Sequence, residues 1–369
     1  MISNRLAENA ATPLLSVLRD IETALALTLR EWETVVRLGR QARLLGLLGA
    51  RLQDRDDLWG HVPLPVRGHL QSALNYSAHR TQMVNIELAA IAKVLPEGLP
   101  VVVLKGAAYI LQSQEFSRGR IPNDVDILVA RKDLDAAESA LLAAGWRFQA
   151  ADAYAERYYR EWSHELPPLR FPGHALEIDL HHTISPVTSR IRPNNDLLFS
   201  GTQAVCGSRF LTLHPGDQII HAAIHLFQDS ELSGRLRDLI DFSGLLTSAI
   251  RSDTDWDELV CRAREHGASD TLWYALHFVQ QWLGTHIPAD LTLVAPPAWR
   301  VRAMDWMVSR IMAPVLPGSQ TGLPHRIASS LGVIRYHWLR MPPGLLIRHS
   351  AHKAWRSVVD AGVKAEQPR

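Results

Sequence analysis

The stretch from Val101 to Val129, VVVLKGAAYILQSQEFSRGRIPNDVDILV, constrains this chain more than any other. A four-residue β-type run, Val101-Val102-Val103-Leu104, ends at Lys105-Gly106, and Asp124-Val125-Asp126 opens a second apolar run, Ile127-Leu128-Val129. Two aspartates at i and i+2 on a strand project from the same face. Carboxylates that close repel each other unless a cation lies between them or one takes up a proton. All-oxygen ligands of this kind suit Mg²⁺, which keeps several waters and is commonly shared with substrate phosphates. A glycine after a buried strand lets the backbone come close to a ligand. A helix that starts there turns free N–H groups and a positive dipole end toward phosphate. The stretch therefore offers a phosphate seat and a metal seat on neighbouring strands, the equipment of metal-assisted chemistry at phosphorus.

These residues resemble the nucleotidyltransferase superfamily of DNA polymerase beta and the kanamycin nucleotidyltransferases. The chain looks closer to a bacterial family of uncharacterised nucleotidyltransferases with the pattern Leu-Lys-Gly, then Arg, then Asp-x-Asp-hydrophobic-Leu-Val. Here these are Leu104-Lys105-Gly106, Arg120 and Asp124-Val125-Asp126-Ile127-Leu128-Val129. Gly106-Ala107 stands where the wider superfamily has Gly-Ser, and the gap from Gly106 to Asp124 is longer than its usual loop. Enzymes of this superfamily carry a third carboxylate on a later strand. The alternation of Glu177-Ile178-Asp179-Leu180-His181 puts Glu177, Asp179 and His181 on one face. Asp179-Leu180-His181 resembles the family's hydrophobic-acidic-Leu-His segment best, so Asp179 is the expected third carboxylate and Glu177 the second choice.

The resemblance implies an α+β fold, with a polymerase-beta-like mixed-sheet core flanked by helical regions. It implies transfer of a nucleoside monophosphate from an NTP, ATP among them, to an acceptor hydroxyl with release of pyrophosphate. Two Mg²⁺ ions are expected on Asp124, Asp126 and Asp179, with Asp179 as proton acceptor. Lys105, Gly106 and Arg120 are expected at the β- and γ-phosphates. The plainer readings make Lys105 a solvent-facing strand end and pair Arg120 with Asp124. Two alternatives stand beside transfer: a protein of this fold that binds nucleotide, RNA or a protein partner without catalysis, and a kinase acting on a peptide or small molecule. The acceptor stays open among small molecule, peptide and RNA.

The remaining chain frames this core. Residues 1–98 read as helices, with Leu14, Leu15, Leu18, Ile21 and Leu25 at helical spacing and a long helix expected from Val66 to Val94. They carry no evident chemistry and read as a scaffold. Residues 99–213 form the α/β core, with a helix after Asp133 closed by Gly145, a strand at 146–148, and two strands around Pro172-Gly173. Residues 214–310 return to helix. His214-Pro215-Gly216-Asp217 starts one helix with Pro near its first position, and Asp255 with Glu258 suggests a capping box for another. His221 and His225, four apart, read as a packed pair rather than a metal pair, and Arg235 and Arg237 as a salt-bridged face or a contact to triphosphate. Residues 311–369 are punctuated by Pro314, Pro317-Gly318, Pro324 and Pro342-Pro343-Gly344 and read as less regular. From His325 to Arg369 there are eight Lys/Arg against two Asp/Glu, interleaved with Tyr336, Trp338 and Trp355. Such a basic, aromatic tail suits an anionic partner or a packed helical surface.

A net charge of +1 over 369 residues excludes a chain-wide field for nucleic acid or membrane. Only Cys206 and Cys261 are present, so a disulfide framework is not expected and a reducing compartment, the cytoplasm, is. The N-terminus lacks the flanks of a signal peptide, and no uncharged apolar run is long enough to span a bilayer.

Overall fold

A computed structural model describes residues 12–348 apart from 150–152, 229, 317 and 320. The extreme N-terminus and the last twenty-odd residues, with His352, Lys353, Trp355 and Arg356, lie outside the described residues.

Among the described residues seven strands form one mixed sheet: β1 (Val102–Val103), β2 (Asp124–Leu128), β3 (Arg147–Phe148), β4 (Leu169–Arg170), β5 (Glu177–His181), β6 (Gln203–Ala204) and β7 (Leu211–Thr212). Their order is β3-β4-β5-β2-β1-β7-β6. The two longest strands, β2 and β5, lie side by side and parallel at its centre, and β1 runs antiparallel to β2. Alternation decides their burial. Val125, Ile127, Ile178 and Leu180 are fully buried, each worth about 1.5–3 kcal/mol of apolar burial, and this pins the register that puts the acidic residues on the opposite face. The fold is therefore α+β, as the resemblance implied, with a central mixed sheet among helices.

The N-terminal helices do more than pack. The 31-residue helix Leu64–Val94 buries Leu70, Val84, Leu88 and Ile91. Its Arg80 donates to the Pro122 carbonyl from Nη2 at 2.6 Å and Nε at 2.9 Å, fixing the loop that enters β2. Helix Leu45–Gln53 meets the same loop where Gly46 and Gly119 cross backbone to backbone; a Cβ on Gly46 would lie 2.4 Å from the Gly119 carbonyl oxygen. Gly119 also has φ +74°, which a residue with a side chain adopts at a cost. The long gap between Gly106 and Asp124 thus holds the helix Lys105–Leu111, a 3₁₀ turn over Glu115–Ser117 and a clamped loop that delivers Arg120.

Several helix ends differ from their sequence reading. Helix Leu134–Ala144 is closed by left-handed Gly145, as expected. Asp133, however, makes no capping bond, because a 3₁₀ turn over Arg131–Asp133 leads into the helix. The capping box expected at Asp255 lies one turn earlier, between Ser252 and Asp255, so the helix is Asp253–Glu265. The largest departure is at the C-terminal end. The prolines there bracket a helix instead of dissolving it: Leu323–Arg340 runs 18 residues with Pro324 in its first turn and Pro342-Pro343 beyond its end. Its last carbonyls accept from Thr188 Oγ1 (to Arg340, 2.9 Å) and Arg190 Nε (to Trp338, 3.2 Å), which ties this helix end to the core.

Candidate active site

The parallel register sets Asp124 opposite Glu177, Asp126 opposite Asp179 and Leu128 opposite His181. Asp126 and Asp179 are therefore direct neighbours on the polar face of the two central strands. Asp124 and Asp179 open into a cleft of about 790 Å³, whose walls include Arg43, Arg120, Glu165, Arg235, Tyr336 and Arg340. Glu177, the second choice for the third carboxylate, is one step further along β5. Its side chain is taken by Gln149 and lies 3.9 Å from Arg170, and it does not line the cleft.

The three aspartates have different environments. Asp126 is 3% exposed. Burial pushes its pKa up, but Lys105 Nζ at 2.7 Å and His181 Nε2 at 3.0 Å from its Oδ1 more than offset this and hold it well below the usual range. Among the described residues Asp179 has no such hydrogen-bonded partner. Burial, with Asp126, Glu165 and Asp124 nearby, pushes it up to about 9. Asp124 stands at the open end of β2, and enclosure by the cleft walls together with Asp126 pushes it up as well. Left to themselves, the three carboxylates do not all ionise at neutral pH.

Lys105 is not the solvent-facing strand end considered above. It carries φ +45° at the junction of β1 and helix Lys105–Leu111, which aims its ammonium back at Asp126. Burial opposes its charge, but Asp126 and Glu165 raise its pKa above the ordinary lysine value. Arg120 does not pair with Asp124. It makes an ion pair with Asp241 of helix Leu236–Ala249, and its guanidinium lies 5.5 Å from the Tyr109 ring. Gly106 has a definite use in this arrangement: a Cβ there would sit 2.6 Å from Arg120 Nε. The missing side chain admits the guanidinium over the start of the helix.

Asp241 serves two arginines. Its Oδ1 accepts from Arg237 Nε at 2.9 Å, and Arg237 Nη2 also donates to the Phe116 carbonyl. Burial lowers Arg237 to about 9. Two guanidiniums thus share one carboxylate at the cleft wall, beside Arg43 and the Arg235–Asp238 ion pair. Of the histidine pair, His221 is buried, and burial, Lys105 and His181 lower it to about 3, whereas His225 is half-buried and lines the cleft.

Sequence reasoning passed over His164 and Glu165. They follow helix Ala153–Trp162 in a segment without hydrophobic period. Backbone bonds from His182 N to His164 O and from Leu166 N to Leu180 O lay this segment along the end of β5. Glu165 Oε2 thereby comes 3.3 Å from His181 Nε2 and 3.6 Å from His164 Nε2. Tyr336 and Arg340, read as part of a separate basic tail, line the cleft because helix Leu323–Arg340 packs across it.

Against this geometry, the family described as uncharacterised nucleotidyltransferase matches residues 28–284, more than half of the chain. The chain belongs to that family. Its match takes in the N-terminal clamp on the Arg120 loop, the aspartate strands and the Asp241 helix, and it stops short of the helix that brings Tyr336 and Arg340 to the nucleotidyltransferase cleft. A comparison with curated proteins finds no match. Among the described residues of this nucleotidyltransferase no helix is long and apolar enough to cross a membrane, and both cysteines are free and exposed.

Proposed function

We propose that this nucleotidyltransferase moves a nucleoside monophosphate from an NTP to an acceptor hydroxyl and releases pyrophosphate. One observation carries the reading: Asp126 lies beside Asp179 in the β2–β5 register, with Asp124 on the same face and an arginine-lined cleft above them. Asp124, Asp126 and Asp179 are oxygen donors of the kind Mg²⁺ prefers. Two of them resist ionisation without added positive charge. That donor set fits divalent metal, and Asp124, Asp126 and Asp179 would hold it. When bound, Mg²⁺ supplies Lewis-acid stabilisation of the attacking and leaving oxygens.

The protein's own groups divide the remaining work. Arg120, Arg235 and Arg237 bind and orient the triphosphate, with Arg120 held in place by Asp241 and admitted by Gly106. Lys105 keeps Asp126 ionised, and its charge belongs to the carboxylate cluster more than to a phosphate. Asp179, once ionised, takes the proton of the acceptor hydroxyl. Small molecule, peptide and RNA hydroxyls all remain acceptors of suitable chemistry. The test is incubation with each α-³²P-labelled NTP, Mg²⁺ and cell extract, with Asp126→Asn alongside. Label on an extract component and released pyrophosphate, both absent with the variant, support transfer; in a parallel incubation with γ-³²P-labelled ATP, label transfer with ADP release would replace it with a kinase.

A second reading draws on one contact. Lys105 gives Asp126 a cation from within the chain, as a nucleotide-binding protein without turnover would require. Tight NTP binding that ignores Mg²⁺, with no label transferred, would favour it.

A further inference from the structure

We propose that His164, Glu165 and His181 form a binding site for a transition-metal dication of the zinc class, next to the aspartate set and chemically distinct from it. The three ligand atoms lie within 4.8 Å of one another. Two of the edges between them measure 3.3 Å, from Glu165 Oε2 to His181 Nε2, and 3.6 Å, from Glu165 Oε2 to His164 Nε2. Donors at about 2.0–2.2 Å around a tetrahedral ion stand roughly 3.3–3.6 Å apart. Both edges from Glu165 fit this spacing, and the pairing of 164–166 with the end of β5 holds the backbone in place.

The donor types set the ion. Two imidazoles and one carboxylate suit zinc and its neighbours, whereas Mg²⁺ prefers oxygen and keeps its waters. His₂Glu leaves a fourth position open, the pattern of a zinc site that also holds water or substrate. His164 and Glu165 line the cleft, so that position faces the same space as Asp126 and Asp179. His181 Nε2 is also 3.0 Å from Asp126 Oδ1, so the zinc-class site adjoins the aspartate set through this shared atom, whose bond to Asp126 the metal would replace. Both histidines are buried, His181 completely. Neither Nδ1 has a hydrogen-bond partner among the described residues; His181 Nε2 donates to Asp126 Oδ1, so ligation through Nε2 requires its hydrogen to move to the free Nδ1.

The inference concerns binding and stands whether or not the protein transfers nucleotide. The full chain is stripped with chelator and titrated with Zn²⁺ in excess Mg²⁺, by calorimetry and metal analysis, and with Co²⁺ by visible absorption, whose intensity reports four-coordination. The variants are His164→Ala, Glu165→Ala and, as references, Asp124→Asn and His182→Ala, each checked for folding by circular dichroism. The expected result is one Zn²⁺ per chain, with affinity lowered on the order of tenfold or more by His164→Ala and Glu165→Ala. Asp124→Asn and His182→Ala should bind as the parent does. Failure of the parent chain to bind Zn²⁺ over Mg²⁺ would overturn the proposal. So would unchanged affinity in whichever of the two ligand variants folds, or an equal loss in Asp124→Asn.

Discussion

Removing the Lys105 ammonium gives the sharpest test of how this site is held together. Asp126 is 3% exposed, and its Oδ1 has two cationic or polar neighbours, Lys105 Nζ at 2.7 Å and His181 Nε2 at 3.0 Å. Lys105→Met keeps the length of the side chain and deletes the charge. Breaking a buried pair from one side costs about 3–5 kcal/mol, because a buried charge is left uncompensated. His181 remains, and Asp126 can take a proton, so the lower end, about 3 kcal/mol, is expected. Unfolding entropy near 2.1 cal/mol/K per residue gives roughly 0.8 kcal/mol/K for 369 residues. The melting temperature should therefore fall by about 4 °C.

The pair also sets a pH dependence. The folded pKa of Asp126 is held below its unfolded value. Its stabilising contribution is therefore full above about pH 4 and is lost as pH falls through the folded value. The gap between parent and Lys105→Met should be widest at neutral pH and narrow below about pH 4. Differential scanning calorimetry in chelator measures both effects. A second variant completes a cycle: Asp126→Asn, made in the Lys105→Met background, should cost under about 1 kcal/mol, since the partner is already gone. If the two changes add, or if Lys105→Met melts with the parent, the two groups are not coupled and the reasoning is wrong.

Three further outcomes are expected. Asp179 binds a proton in the folded protein up to about pH 9, while the unfolded carboxyl releases it near its ordinary value. Metal-free parent protein should therefore lose stability as pH rises through that window, and Asp179→Asn should melt higher than the parent at pH 8, with the difference closing toward pH 4; thermal melts across that range check it. Asp179→Asn should also lower labelled-nucleotide transfer by at least about a hundredfold, as loss of a proton acceptor does. Gly46→Ala forces a Cβ to 2.4 Å from the Gly119 carbonyl oxygen, so it should destabilise by about 1–3 kcal/mol in urea unfolding and weaken NTP binding through Arg120.

Much of the core was legible because strand alternation is local. Val125 and Ile127 beside Asp124 and Asp126, and Ile178 and Leu180 beside Asp179 and His181, announce one buried and one polar face in the sequence alone. The long helix was legible in the same way, and so was the end of helix Leu134–Ala144 at Gly145. What the sequence could not carry was the pairing. That Asp126 faces Asp179 and not Glu177 depends on the β2–β5 register, which links residues more than fifty positions apart. Arg120 meeting Asp241 and Lys105 meeting Asp126 are contacts of the same kind. Glu165 and His164 belong to a segment with no period of its own, and only its backbone pairing with the end of β5 brings them to His181. Tyr336 and Arg340 looked like part of a detached basic tail because the prolines around them read as breaks. Only the packed structure shows those prolines as the two ends of a helix that closes on the cleft. Local periodicity fixes which residues share a face. Which faces meet is decided by burial across the whole chain, and the chemistry of this site lies in those meetings.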